Sequence, residues 1–190
     1  MTYFTLFPRI LFLTNLKWSI SVATNKCIYF VEGPCEEQLI NALKDPPPRL
    51  LPGKVKVFNV IQNLIPKSIL FPFGDGTTVV LAFDTDVAET SKLKKNIENL
   101  KKYCGGVKIV FLPQVLSLED ELVRATDAKK ITDLTKSRSV KGFKSDFCRL
   151  GTRECRNMLE KHALDVHRLW ETKVPSAFSF IVNNGKTIKS

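Results

Sequence analysis

Nowhere in this 190-residue chain is there a run of the 18 or more apolar residues that a membrane-spanning helix requires, so a membrane-embedded function is set aside. The nearest approach is the amino-terminal stretch from Met1 to Ala23. It is rich in Phe, Leu and Ile, carries Arg9 and ends Ser21-Val22-Ala23, a loose imitation of a signal cleavage site. Its apolar run Ile10 to Leu13 is short and Lys17 interrupts it. Residues 1–25 are therefore read as peripheral, with an extra strand, a disordered leader and residues ahead of the true start all open. Cysteine is sparse too: five, at positions 27, 35, 104, 148 and 155. An odd number without a dense framework suggests a reducing compartment, the cytoplasm, and excludes a disulfide-stapled scaffold. Cys148, Cys155, His162 and His167 invite a zinc reading, but the cysteines lie too far apart for a finger. Cys148, Cys155 and His162 recur at helical spacing, so one buried helix face explains them more simply. Internal repeats are lacking as well.

Acidic residues are the minority. Lys plus Arg number 29 against 19 Asp plus Glu, a formal net charge of +10. Such an excess favours polyanionic partners, DNA or RNA, because each neutralised phosphate releases condensed counterions. A protein that is simply basic is the alternative. A hydrophobic fraction of 44% and a charged fraction of 25% are those of an ordinary globular chain and argue against global disorder.

From Lys26 the pattern is regular. Cys27-Ile28-Tyr29-Phe30-Val31 is a continuous apolar run, as in a strand buried on both faces. Gly33-Pro34 ends it, and Cys35 to Leu43 reads as a helix with Pro34 in its first turn. Asp45 to Pro52, with four prolines, is a loop. Further strands are expected at Val55 to Ile61, Thr77 to Phe83 and Val107 to Leu112. A helix from Thr90 to Tyr103 has Leu93, Ile97 and Leu100 on one side and Gly105-Gly106 as its stop. Ser117 to Thr126 reads as another helix, and a strand is expected at Phe178 to Val182. Strands alternating with helices indicate an α/β fold: a mainly parallel four-stranded sheet flanked by helices, over residues 26–125. Residues 126–190 read as a basic, mostly helical extension; Arg124 to Lys173 alone holds 13 Lys/Arg against 7 Asp/Glu.

Ligands of parallel α/β sheets bind beyond the carboxyl ends of the strands. Glu32, Glu36 and Glu37 stand after the first strand, Asp84 and Asp86 after the third, and Glu119, Asp120 and Glu121 after the fourth. Eight of the 19 acidic residues thus fall at three strand exits. Two carboxylates 4 Å apart repel by about 4 kcal/mol at an effective dielectric near 20, and a bound divalent cation reverses that sign. Oxygen-only ligands favour magnesium, manganese or calcium over zinc. Structural roles compete with this reading. Glu36 and Glu37 oppose a helix dipole, and Ser117 with Asp120 resembles a capping box. Asp84-Thr85-Asp86, directly after a buried strand, is the hardest to explain by structure alone.

Ile28-Tyr29-Phe30-Val31-Glu32-Gly33 resembles the strand-Glu-Gly opening of Toprim domains, and its second acid, Glu36, makes it similar to the overcoming-lysogenization-defect (OLD) nucleases. Val80-Leu81-Ala82-Phe83-Asp84-Thr85-Asp86 resembles the Toprim Asp-x-Asp motif, and Ser117 to Leu122 the later acidic motif of the same nucleases. The resemblance spans about residues 26 to 125 and implies a Toprim/Rossmann-like fold with a Mg2+- or Mn2+-dependent endonuclease site. In it Asp84 and Asp86 bind metal and Glu32 is a ligand or general acid/base. Glu36 and one or more of Glu119, Asp120 and Glu121 help hold a second ion, with Glu119 favoured over Asp120 and Glu121. Two ions roughly 4 Å apart serve in-line displacement. Lys141, Lys144 and Arg149 are candidates to contact phosphate, with a solvated helix face as their alternative, while Phe143 and Phe147 read as core.

The ATPase domain that precedes Toprim in OLD nucleases has no counterpart here, and Gly185-Lys186-Thr187 is no phosphate-binding loop, since Phe180 stands where its first glycine belongs. The expected function is a small nuclease or the nuclease subunit of an assembly, acting on DNA or RNA, in defence against phage. Partners are nucleic acid with an ATPase protein or further copies of the chain, and no membrane. The competing expectation is a non-catalytic nucleic-acid-binding subunit of an ATPase–nuclease assembly.

Overall fold

The computed structural model describes residues 26–190, so the leader expected at residues 1–25 lies outside the described residues. Four strands, β1 (Lys26–Val31), β2 (Lys54–Val57), β3 (Thr77–Asp84) and β4 (Lys108–Gln114), form one sheet in the order β2-β1-β3-β4. Every pairing is parallel, with Ile28 opposite both Lys54 and Val79, and Asp84 opposite Gln114. The fold is therefore α/β, as the alternation of strands and helices implies.

Strand residues alternate between the two faces, and that alternation divides the core. Tyr29, Val31, Val80, Ala82, Val110 and Leu112 point into one cluster. Covering it are α1 (Pro34–Lys44) through Leu39, Ile40 and Leu43, and α4 (Leu118–Ala125) through Leu118 and Leu122. Ile28, Phe30, Val79, Leu81, Phe83 and Phe111 point into the other, covered by α2 (Lys67–Leu70) and α3 (Ser91–Tyr103). Burial on both faces is why these strands read as unbroken apolar runs. Helix α3 stops where expected, with Gly106 in the left-handed region (φ 73°) that glycine enters without steric cost.

The C-terminal third contributes to both clusters. Helices α5 (Thr132–Thr135), α6 (Val140–Arg149) and α7 (Thr152–Lys161) bring Leu134, Phe143, Phe147, Cys155 and Leu159 to the first cluster, joined by Trp170. Phe143 and Phe147 are fully buried with ring centroids 5.1 Å apart, the core role expected of them. Phe178 and Ile181 enter the second cluster instead.

Three sequence expectations change. The second strand ends at Val57 rather than Ile61, because the Asn59 side chain accepts hydrogen bonds from the backbone N–H groups of Ile61 and Gln62 and turns the chain. No strand forms at Phe178 to Val182; a 3₁₀ turn spans Ser176–Phe178, and Phe178 stacks on Phe83 at 5.8 Å. The edge such a strand would need is closed by Asn184, whose amide donates to Ile109 O (3.0 Å) and accepts from Phe111 N (2.8 Å). Cys148, Cys155 and His162 do not share a helix, since Leu150-Gly151 separates α6 from α7. Strand β4 runs on through Pro113, which an edge strand tolerates. By the alternation that turns Ile109 and Phe111 outward, the N–H that Pro113 lacks is one that would face away from β3. On the opposite edge, Lys54 and Lys56 of β2 lie at the surface, Lys54 and Lys56 both exposed. Among the described residues no helix is long and apolar enough to cross a membrane.

Candidate functional site

The carboxyl ends of β1 and β3 are neighbours, and this adjacency brings the first two acidic segments together. Glu32 follows β1, and its Oε2 accepts a hydrogen bond from the Asp84 backbone N–H at 3.3 Å. Its other oxygen, Oε1, is held by the Asn59 amide at 2.6 Å. Asp84 ends β3 on the same face as Val80 and Ala82, beneath the first turns of α1 and α4. Those turns carry Glu36 and Glu119. Thr85 serves as the anchor between the two aspartates. Buried, it donates from its hydroxyl to Gln114 O and accepts from the Leu116 N–H, both at 3.1 Å, which ties the exit of β3 to that of β4.

Glu36 is buried, and one of its oxygens accepts from the Gly33 N–H at 2.9 Å, capping α1 as the helix-dipole reading allowed. Burial pushes its carboxyl up, with Glu32 and Glu119 adding to the effect against the backbone donors. Asp84 is perturbed most strongly. Burial, followed by the charges of Glu32, Glu36, Asp86 and Glu119, pushes it up to about 8, and its buried Oδ1 has no hydrogen-bond partner. Four of the expected acids thus act on Asp84.

Other expected residues are used elsewhere. Glu121, expected as a ligand, is fully buried away from this cluster. Its Oε1 accepts from the Val115 N–H (3.0 Å) and pairs with Arg124 (2.7 Å), and its Oε2 accepts from the Trp170 N–H (2.9 Å). With both oxygens in structural use, Glu121 is not brought to the site. Asp120 bonds the Ser117 hydroxyl (2.6 Å), and Ser117 caps α4 as its spacing suggested. Among the basic candidates, Lys144 pairs with Glu119 at 2.9 Å, and that hydrogen bond pushes its ammonium up. Lys141 and Arg149 are exposed on α6. His162 bonds Asp127 rather than a cysteine.

Two contributors escaped the sequence reading. Asn59 positions Glu32, and Gln114 stands beside Asp84 in register, almost wholly buried with an unpartnered Oε1. Their signal was position: both are polar residues at carboxyl ends of parallel strands.

Among the described residues, no three His, Cys, Asp or Glu side chains converge as a ready metal shell. The donors around Asp84 are all oxygens, and the orphaned Oδ1 leaves one acceptor without a partner. Magnesium typically keeps several waters and takes only one or two protein carboxylates, so this donor set fits it. Compared with known proteins, the chain matches no family model, no curated protein and no solved structure.

The strained ionisation of Asp84 has a measurable consequence. Its folded value, about 8, lies above the unfolded value near 3.9. The folded state therefore holds the proton more tightly between these values, and stability falls as pH rises through that window. Discounted for partial exposure, the loss is about 2–4 kcal/mol. Urea unfolding in chelator at pH 5 and pH 8.5 should show this drop in the wild type and a flatter profile in Asp84→Asn. Equal slopes would mean that Asp84 ionises freely.

Proposed function

We propose that the chain is a divalent-metal-dependent nuclease of Toprim type, related in its acidic motifs to the OLD nucleases and acting on DNA or RNA in phage defence. The observation that carries the reading is Asp84: a half-buried carboxylate whose buried Oδ1 has no partner, at a parallel strand exit, with the charges of Glu32, Glu36, Asp86 and Glu119 acting on it in a chain of net charge +10. Such a group costs stability unless a cation joins it. Asp84 and Asp86 would hold Mg2+ or Mn2+ together with Glu32, and Glu36 with Glu119 would serve a second ion. Bound ions supply stabilisation of the charge that develops on the phosphate and leaving oxygen. For the protein's own part, Asn59 fixes the orientation of Glu32, either as that ligand or as the general base that would take the proton of the attacking water. Lys141 and Arg149 on α6 would grip the polynucleotide backbone, and Lys144, at the rim through Glu119, would neutralise phosphate.

One observation favours the second reading, a non-catalytic nucleic-acid-binding subunit of an ATPase–nuclease assembly. Glu119, assigned to the second ion, is already paired with Lys144. Full-length protein incubated with plasmid, single-stranded DNA and RNA distinguishes the two. The nuclease reading expects cleavage with Mg2+ or Mn2+ that chelator abolishes. Salt-sensitive binding without turnover would replace it with the binding module. Turnover indifferent to polynucleotide length would point instead to a small phosphorylated substrate.

A further inference from the structure

Helices α1 and α6 meet at a pair of sulfurs that the nuclease reading does not use. Cys35 Sγ lies 3.0 Å from Cys148 Sγ, across 113 residues of sequence. The two thiols differ in access: Cys148 is exposed, whereas Cys35 is buried and also close to the Lys144 carbonyl (3.8 Å). Cys27, Cys104 and Cys155 are buried, and all five cysteines are free.

We infer that Cys35 and Cys148 form a site of thiol–disulfide exchange that takes low-molecular-weight disulfides and closes into a reversible cross-link between α1 and α6. The inference rests on the two sulfurs and their unequal exposure, and stands whether or not the chain cleaves nucleic acid. Exposure fixes the order of events. Cys148, as thiolate, attacks one sulfur of a disulfide such as glutathione disulfide; that S–S bond breaks, and glutathione leaves as thiolate and takes up a proton. Cys35, losing its own proton, then attacks Cys148 Sγ in the mixed disulfide and expels the second glutathione. Two cysteine thiols are oxidised and one disulfide is reduced to two thiols. The closing step needs the sulfurs to approach by only about 1 Å to reach bonding distance.

The consequence lies in what the two helices carry. Glu36 follows Cys35 on α1, and Lys144 stands one turn before Cys148 on α6. The cross-link fixes these two elements to each other, and reductant releases them. A chain from a reducing compartment would carry it only under oxidising conditions.

Full-length protein exposed to glutathione disulfide, trapped by alkylation and mapped by peptide mass spectrometry provides the test. In the wild type, a Cys35–Cys148 peptide should form, two of the five thiols should be lost, and dithiothreitol should restore both. Cys35→Ser should stop at one glutathione on Cys148, and Cys148→Ser should keep its four thiols under the same exposure. Wild type that accumulates glutathionylated Cys148 with no internal cross-link would overturn the inference. So would a Cys148–Cys155 linkage, or equal reactivity of wild type and Cys148→Ser.

Discussion

Replacing Asp84 and Asp86 together by alanine is expected to lower metal-dependent phosphodiester cleavage by about 10³-fold or more while leaving the fold intact. Asp84 itself carries the unpartnered acceptor of the site, and Asp86 is among the charges that act on it. Glu32 is engaged by Asn59 and by the Asp84 backbone, Glu36 caps α1, and Glu119 pairs with Lys144. The variant also carries its own control. Removing the carboxylate from position 84 relieves the burial of a charge, and with it the repulsion from Glu32, Glu36, Asp86 and Glu119, that together push Asp84 up to about 8, so in chelator near pH 8 the double variant should be at least as stable as the wild type. Lost cleavage with undiminished stability identifies a lost site rather than a lost fold. Metal-dependent cutting that persists in the double variant would remove the catalytic assignment from these residues.

The largest effect on stability is expected at Glu121. Its carboxylate is fully buried and joins three parts of the chain: the turn after β4 through Val115, its own helix through Arg124, and the C-terminal segment through Trp170. Trp170 sits at φ 57°, a conformation that a bulky residue occupies only when its surroundings hold it there. Glu121→Ala orphans the buried Trp170 N–H and the partly buried Val115 N–H and strips Arg124 of its counter-charge, at a cost of about 3–5 kcal/mol. Glu121→Gln keeps the volume and one acceptor and should cost less. Urea denaturation of both variants measures the difference. A loss under about 1 kcal/mol for alanine would show that water or a rearranged Trp170 segment takes over the network. The two predictions also separate the acids by role, because Mg2+ should stabilise Glu121→Gln as it does the wild type and should fail to stabilise Asp84→Asn.

Much of the sheet could be read in advance because its strands are buried on both faces. Cys27 to Val31 and Val79 to Phe83 are unbroken apolar runs. Turns made by side chains were harder. Asn59 cuts β2 short and Asn184 occupies the outer edge of β4, and both act through hydrogen bonds to distant backbone that composition does not reveal. The site shows the same division. Proximity of Glu32 to Asp84 follows from adjacent parallel strands, which alternation of strands and helices implies. Glu119, Asp120 and Glu121 are consecutive on a helix, so each points about 100° from the last and they meet three different environments. One pairs with Lys144, one accepts from the hydroxyl of the capping Ser117, and one is buried against the Trp170 backbone. Sequence identified the acidic turn; only packing assigned its members.

Asn184 has a consequence beyond ending β4. A bare outer strand is a template on which another polypeptide can crystallise backbone to backbone, the route to swapped and fibrillar assemblies. Here the Phe111 N–H and Ile109 C=O are already taken by one side chain, and the far border presents Lys54 and Lys56. Further copies of this chain cannot stack onto that β4 position without first evicting Asn184, so an assembly that leaves it in place must be built through another part of the surface.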